Sequence, residues 1–465
     1  MSGRGQRSIA VVGGGITGLT AARCLHLAGF KVTVFEEKPR VGGAINTIAQ
    51  EGWLIEGGPN SLQETPGVKA LLADLGIEDQ RLVANTAAKK RFILRRGKLV
   101  PLPSSPPGLL MSPLFSPGGR LRVLKDLFAR PRVRATDTSL ADFIGSHFGR
   151  AAVDYALDPF VGGIYAGDPG KLSARYSFPR LWQLEQSHGS LLRGLQAEAR
   201  RRRIAGKSTG APAIISFAHG LQTLPDALAA ALPPSAVRTG AAVTNVIPGR
   251  PWKVIASIGN AVETDEFDAV VFALPAGGLA RVGFGTLGER PLASLEHQPQ
   301  PPVSSLFLGF RREQVAHPLD GFGALIPSRE RRNFLGVLFS STLFPGRAPE
   351  GHVGLTVFAG GTRQPEIGRL PTEALLAKLL PDLGEILGIT GKPVFLRHTF
   401  RPKAIPQYNL GHEHFLDLIS RSETENPGLF VGGNVRDGIS LPDCIKSGGR
   451  LANQAAAYLA ENRAD

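Results

Sequence analysis

"IAVVGGGITGLTAARCLHLAGFKVTVFEEKPRVGG", residues 9–43, decides the fold. An apolar run, Ile9–Val12, enters three consecutive glycines, and a helical pattern leaves them. Gly13, Gly15 and Gly18 stand at G-x-G-x-x-G spacing. Each has a physical task there: a tight turn, a close backbone approach to a pyrophosphate, and close helix–strand packing. The helix that follows offers unpaired amides and a positive dipole end to phosphate. The next apolar run, "KVTVFEE", ends at Glu36, 18 residues after Gly18, where a carboxylate accepts hydrogen bonds from a ribose diol. Strand, glycines, helix, strand and acid in this register predict a dinucleotide-binding α/β domain of Rossmann type.

The whole chain has 465 residues, enough for two or three domains. Hydrophobic residues make up 42% and charged residues 20%, a globular balance. The formal charge of +14 favours anionic partners such as acidic lipid or an acidic small molecule. Nucleic acid is disfavoured, because no zinc spacing and no basic-plus-aromatic module appears. Cys24 and Cys444 are too few and too far apart for a disulfide framework, which suits a reducing compartment. The opening "MSGRGQRS" lacks the apolar core of a signal peptide, and no apolar run approaches bilayer-spanning length. The expected location is cytoplasmic, with peripheral attachment to the inner face of the cell membrane.

Residues 8–100 alternate strands, glycine turns and helical patterns, and the same grammar returns after Ile214. A proline-rich break near 101–118 carries the apolar patch Leu109, Leu110, Met111, Leu114 and Phe115. Beyond it the pattern is helical and basic, with Leu121, Leu124 and Leu127 at helical spacing among Arg120, Arg122, Lys125 and Arg130. The basic run at 198–213 reads as a mobile loop. Strands are expected at 303–310, 323–327, 334–340 and 353–358. The fold class is therefore α/β: a Rossmann-type dinucleotide-binding domain (1–88, 214–275 and 393–465) with two insertions, one strand-rich (89–104 and 276–392) and one helical and basic (105–213).

The choice of FAD over a nicotinamide rests on two stretches. "RVGG", Arg40 to Gly43, directly follows the acid and lets a second loop approach the same cofactor, with Arg40 available to phosphate. It resembles the FAD enzymes of the amine-oxidase and desaturase superfamily. "LFVGGNVRDGISLPDCIKSGGRLA", 429–452, adds a glycine turn and a second helix N-terminus facing the flavin. Within that superfamily "EGGPNSLQ" (56–63), "PFVGGIYAGDPGKLSARYSFP" (159–179), "GFGALIP" (321–327), "GVLFSSTLFPGRAPEG" (336–351) and "AIPQYNLGH" (404–412) resemble the protoporphyrinogen oxidase family, in order along nearly the whole chain. The resemblance implies six-electron oxidation of protoporphyrinogen IX to protoporphyrin IX through FAD. Dioxygen is the acceptor, hydrogen peroxide the by-product, and the pathway haem biosynthesis. It also implies that the Rossmann-type domain is FAD-binding, the strand-rich insertion substrate-binding and the helical, basic insertion membrane-binding. Leu109–Phe115 and the basic helices then make an anionic membrane surface an expected partner, with the next haem-pathway enzyme and a second copy of the chain as further candidates. Coproporphyrinogen III oxidation by the same fold is the nearest alternative. An amine oxidase is further off, since no aromatic cage and no flavin-side lysine is identifiable.

The resemblance assigns the FAD contacts to Gly13, Gly14, Gly15, Ile16, Thr17, Gly18, Glu36, Glu37, Arg40, Gly42, Gly43 and Ala44. It adds Gly58, Pro59, Asn60, Ser61, Val243, Asn434, Ile439, Ser440 and Leu441. Asn60 is a departure: some relatives carry arginine after the Gly-Pro pair, so a charge near the flavin is absent from that position. For the substrate, "KRFILRRGKLVPLP" reads as a hairpin turning at Arg96–Gly97, and on the residues alone Arg95 and Arg96 are both turn charges. The resemblance makes Arg95 the propionate anchor. It places Leu325, Leu338 and Phe358 against the tetrapyrrole rings, and Gly163 with its carbonyl toward the substrate. No catalytic side chain and no metal is expected, because the flavin accepts the hydride.

Overall fold

The computed structural model describes residues 6–102, 125–129, 134–206, 210 and 212–462. The apolar patch Leu109–Phe115, with Arg120, Arg122 and Arg130, lies outside the described residues.

A five-stranded parallel sheet holds the quoted stretch. Its order is Val237–Thr239, Lys31–Glu36, Ser8–Val12, Ala269–Phe272 and Leu429–Val431. The strands read as near-continuous apolar runs because both faces are covered. Ile9, Val11, Val32 and Val34 pack under the helices Ile16–Leu27 and Leu441–Glu461. Ala10, Val12 and Phe35 point the other way, onto a four-stranded sheet through Trp252 and Val254. The two helices touch along their backbones: a Cβ on Gly448 would stand 2.8 Å from Thr20 Cβ. N-terminal, middle and C-terminal segments thus close one core.

A seven-stranded sheet forms the second body. Its order is Phe395–Arg401, Val303–Arg311, His352–Gly360, Gly336–Leu338, Gly323–Leu325, Arg91–Arg95 and Lys98–Pro101. The four expected strands appear at their places. One face of the sheet buries Leu306, Leu308, Val337, Val357 and Leu355 against the helix Thr372–Leu387. The hairpin turns at Arg96 and Gly97, whose φ angles of 50° and 73° fit a two-residue loop with left-handed twist at both positions. Two expected boundaries move. Phe395–Arg401 pairs with Val303–Gly309 and belongs to this sheet, not to the cofactor domain. Gly283–Phe284 pairs with Asn245–Val246 and belongs with the cofactor domain.

Between 140 and 204 the chain is helical. The helix Leu191–Ile204 runs through Glu198–Arg203, so the expected loop at 198–213 begins only after Ile204. Arginine is a good helix former, and Arg201, Arg202 and Arg203 complement the negative end of the dipole, while Ser190 caps the start. Beneath lies a buried charge cluster. His147 Nδ1 stands 2.5 Å from Asp126 Oδ1 and Nε2 3.0 Å from Glu185 Oε1, and Arg134 holds Glu185 with two bonds of 2.8 and 2.9 Å. Burial opposes the charge on His147, but hydrogen bonds to the two carboxylates and their charges outweigh it and push its pKa up to about 9.

Candidate functional site

The cofactor side is built by backbone. Gly13 takes φ 112°, which side chains rarely adopt, and its amide donates to Phe35 O at 2.8 Å. That turn carries the chain from strand to helix. A Cβ on Gly18 would overlap Gly13 O. Gly15 caps the helix without a side-chain bond, which leaves the amides around Ile16 and Thr17 for a ligand. A Cβ on Gly15 would meet only Gly43 Cα, at 4.0 Å. The turn Arg40–Ala44 lies alongside, with Gly42 N donating to Gly14 O at 2.8 Å. Gly58 abuts Ala44 O in turn, and Asn60 Nδ2 braces the Gly58–Ser61 loop by donating to Gly58 O at 3.0 Å. From the C-terminal end, Gly433 rests against Thr17, and Ser440 caps the helix that starts at Leu441.

Glu36 is 6% exposed; Oε2 accepts from Gly14 N at 2.8 Å and Oε1 from Lys38 N at 3.0 Å. Each oxygen keeps a second acceptor site for a diol. Glu37 turns away to the surface, 3.6 Å from Arg281. Val243 lies on the strand Ala241–Ile247, which starts two residues beyond Thr239, the partner of Glu36. Asn434 and Ile439 are half-buried in the C-terminal loop. Three glycine turns, an acid at the strand end and an uncapped helix start fit a flavin dinucleotide.

The substrate candidates gather on the other face of the seven-stranded sheet. Pairing puts Ile93, Leu325, Gly336, Phe358, Ser305 and Thr399 in one row. Arg95 and Leu338 lie two residues along their strands, hence on the same face. Leu325, Leu338 and Phe358 are half-buried there, whereas Ala324, Val337 and Val357 fill the opposite core. Gly163, in the helix Asp158–Tyr165, sits so close to Leu325 Cδ2 that a Cβ would collide with it. Asp158 braces this helix with Arg363 at 2.8 Å and Ser328 N at 2.8 Å.

Arg95 and Arg96 separate cleanly. Arg96 is exposed, and its amide and that of Gly97 donate to Glu330 at 2.8 and 3.2 Å. Arg95 folds inward, its guanidinium 5.0 Å from the centre of the Tyr155 ring. Its Nη1 is buried and unbonded among the described residues. An orphaned guanidinium N–H costs roughly 1–3 kcal/mol unless an anion arrives. Tyr155 stands on the π-helical turn Val153–Leu157, a local irregularity of a kind frequent at functional sites.

Two bracing residues escaped the sequence reading. Tyr408, inside "AIPQYNLGH", donates to Asn434 O at 2.8 Å and accepts from Gly438 N at 2.9 Å, tying the C-terminal loop. Burial pushes its phenol pKa up, so the hydroxyl stays protonated. Arg401, from the seven-stranded sheet, donates to Ala44 O at 3.0 Å and Gly57 O at 2.8 Å. Tyr408 lay in a quoted motif; Arg401 had no signal beyond a charge at a strand end.

The family model for flavin-containing amine oxidoreductases matches residues 16–456. Protoporphyrinogen oxidase 2 of Arabidopsis thaliana is 34% identical, over 97% of this chain and 94% of its own. The chain belongs to the flavin-containing amine oxidoreductases, and within them to the protoporphyrinogen oxidase family. Coproporphyrinogen III oxidase of Bacillus subtilis is 29% identical, over 98% of this chain and 99% of its own. A crystal structure from Exiguobacterium sp. 255-15 superposes with a TM-score of 0.80 at 23% identity, over 98% of this chain and 100% of that one. The enzyme is thus an FAD-dependent oxidase of porphyrin biosynthesis. Among the described residues no helix is long and apolar enough to cross a membrane.

Proposed function

We propose that this family member oxidises protoporphyrinogen IX to protoporphyrin IX with dioxygen as acceptor. The observation that carries the substrate class is the shared face: one inward guanidinium with an unbonded N–H at the edge of an apolar wall. A porphyrinogen has the complementary shape, with apolar faces and propionates at one edge. Bound FAD supplies the two-electron acceptor chemistry. The chain's own residues bind and orient. Arg95 takes a propionate in its planar fork, and Tyr155 holds that fork. Leu325, Leu338 and Phe358 pack the ring faces and exclude water, while Gly163 leaves room where a side chain would displace Leu325. The assay is aerobic turnover of flavin-loaded protein, followed by porphyrin fluorescence, with protoporphyrinogen IX and coproporphyrinogen III side by side. Faster conversion of the first supports the proposal. Faster conversion of the second keeps cofactor and reaction and replaces the substrate.

The helical region is the proposed membrane-binding part. Phe128 is 84% and Ile204 77% exposed, and Ile204 directly follows the exposed Arg200–Arg203 run, a combination suited to an anionic bilayer surface. Flotation with anionic vesicles at low salt should carry the protein upward. Protein left in the soluble fraction rejects this part of the reading.

A further inference from the structure

At the cofactor turns the charge of Arg40 acts on Arg401, and among the described residues neither guanidinium pairs with a carboxylate. Arg40 folds over its own turn and donates to Val41 O, Ile45 O and Gly43 O at 3.0, 2.7 and 3.2 Å. Arg401 comes from the opposite side. It is the last residue of Phe395–Arg401, two residues from Thr399 and so on the same sheet face as Phe358. Its Nη2 joins Ala44 O and Gly57 O, and so clips the Arg40–Ala44 turn to the Gly58–Ser61 loop. A Cβ on Gly58 would come within 3.3 Å of that Nη2.

The electrostatics are unbalanced. Burial and then the charge of Arg40 push the Arg401 pKa down, and among the described residues no carboxylate offsets them. Backbone carbonyls take the N–H groups of both arginines but carry no net charge to offset them. Two cations drawn into one half-buried place repel each other, and the arrangement calls for an anion. The cradle beside them is made for one: Gly43 packs on Gly15 at the uncapped start of Ile16–Leu27. The charge that Asn60 does not provide arrives here from another domain.

We propose that Arg401 is a cofactor-positioning residue, contributed by the substrate sheet, whose positive charge joins that of Arg40 in holding the anionic dinucleotide. Loading of FAD and seating of the substrate sheet on the cofactor turns are then coupled. The inference rests on the FAD assignment and not on the porphyrinogen, so its test involves no substrate.

The test compares Arg401→Gln and Arg401→Lys holoproteins with the parent. Glutamine keeps an amide donor for the two carbonyls and removes the charge; lysine keeps the charge and loses the fork. FAD released on dilution is read by fluorescence at low and raised salt, and the flavin midpoint potential by dye equilibration. A reduced flavin carries more negative charge than an oxidised one, so a lost neighbouring cation lowers the potential. The expected result for Arg401→Gln is about tenfold weaker FAD retention, with less dependence on salt, and a more negative potential. Arg401→Lys should keep the parental potential. Unchanged retention and potential in a folded Arg401→Gln protein would overturn the proposal and leave Arg401 a plain domain clip. Should Arg401→Gln fail to fold, a shifted potential in Arg401→Lys overturns it equally, and an unshifted one supports it.

Discussion

At Gly13–Gly18, the proposed cofactor site, the parallel sheet presents no side chains, and the groups left for a ligand are amides at a helix start. The proposed substrate site on the seven-stranded sheet is built the opposite way: Arg95, Leu325, Leu338 and Phe358 offer side chains from four strands, and the backbone only sets their spacing. A backbone site tolerates almost no change, since every atom in it is also part of the fold. A side-chain site is adjustable, since each residue is anchored by a ladder that continues without it. Substitutions on the two sides should therefore differ in kind as well as in size.

The largest effect is expected at Gly18. A side chain there overlaps Gly13 O, and neither backbone can retreat without breaking the strand–turn–helix geometry. Gly18→Val should abolish flavin content and most soluble folded protein, read by absorbance of the purified protein and by thermal melting. A flavin-loaded Gly18→Val protein with parental melting would break the contrast at its root. Arg95→Ala comes second. It should leave FAD bound and raise KM for the porphyrinogen by the worth of a partly desolvated ion pair, about 2–5 kcal/mol, with Arg96→Ala near the parent. Equal effects at the two arginines would mean that the inward fork has no special role.

The same contrast explains what the sequence disclosed. Gly13, Gly15, Gly18 and Glu36 were legible because steric exclusion writes itself as glycine at fixed spacing, and spacing survives without a partner strand in view. Leu325, Leu338 and Phe358 look like any strand residue; only pairing across Gly336 brings them to one face, and pairing is non-local. The resemblance named them, and the ladder puts them on one face of the sheet. Phe395–Arg401 was misplaced for the same cause, its only clue being a partner almost a hundred residues earlier. At Glu198–Arg203 the local pattern misleads: a basic run reads as a mobile loop, yet long unbranched side chains favour helix and their charges suit its last turns.

A pH titration separates the two sides further. His147 has its pKa raised from 6.5 to about 9, so the folded helical region binds that proton more tightly than the unfolded chain. Below 6.5 both states hold the proton and the stabilisation is complete. Between 6.5 and 9 the unfolded chain sheds it first and the stabilisation shrinks, to vanish above 9. The loss is about 3 kcal/mol at most. Helix Leu140–Phe148 leads through Arg150–Ala152 to the turn that holds Tyr155 under Arg95, so the substrate side should loosen first. Hydrogen exchange in 140–190 should accelerate as pH rises from 6.5 to 9, beyond the intrinsic rate, while bound flavin is retained. Parallel loss of flavin would show one cooperative unit instead of two.

The smallest predicted change is the most discriminating, because it places a backbone-type constraint inside the side-chain site. Gly163 is a glycine for the sake of Leu325: a Cβ would strike Leu325 Cδ2, the far end of a flexible side chain. Leu325 is only half-buried, so its side chain can shift, and it does so on the sheet face it shares with Phe358. Gly163→Ala should therefore cost little stability, at or below the ~1–3 kcal/mol of an overpacked core, and show itself chiefly as a raised KM with FAD content unchanged. Pairing it with Leu325→Ala decides the matter. If the collision is the whole effect, the shortened side chain removes it, and the double variant binds substrate no worse than Leu325→Ala alone. If the defect persists, Gly163 serves the substrate through its own backbone, and the two sides of the active site are built more alike than their strands suggest.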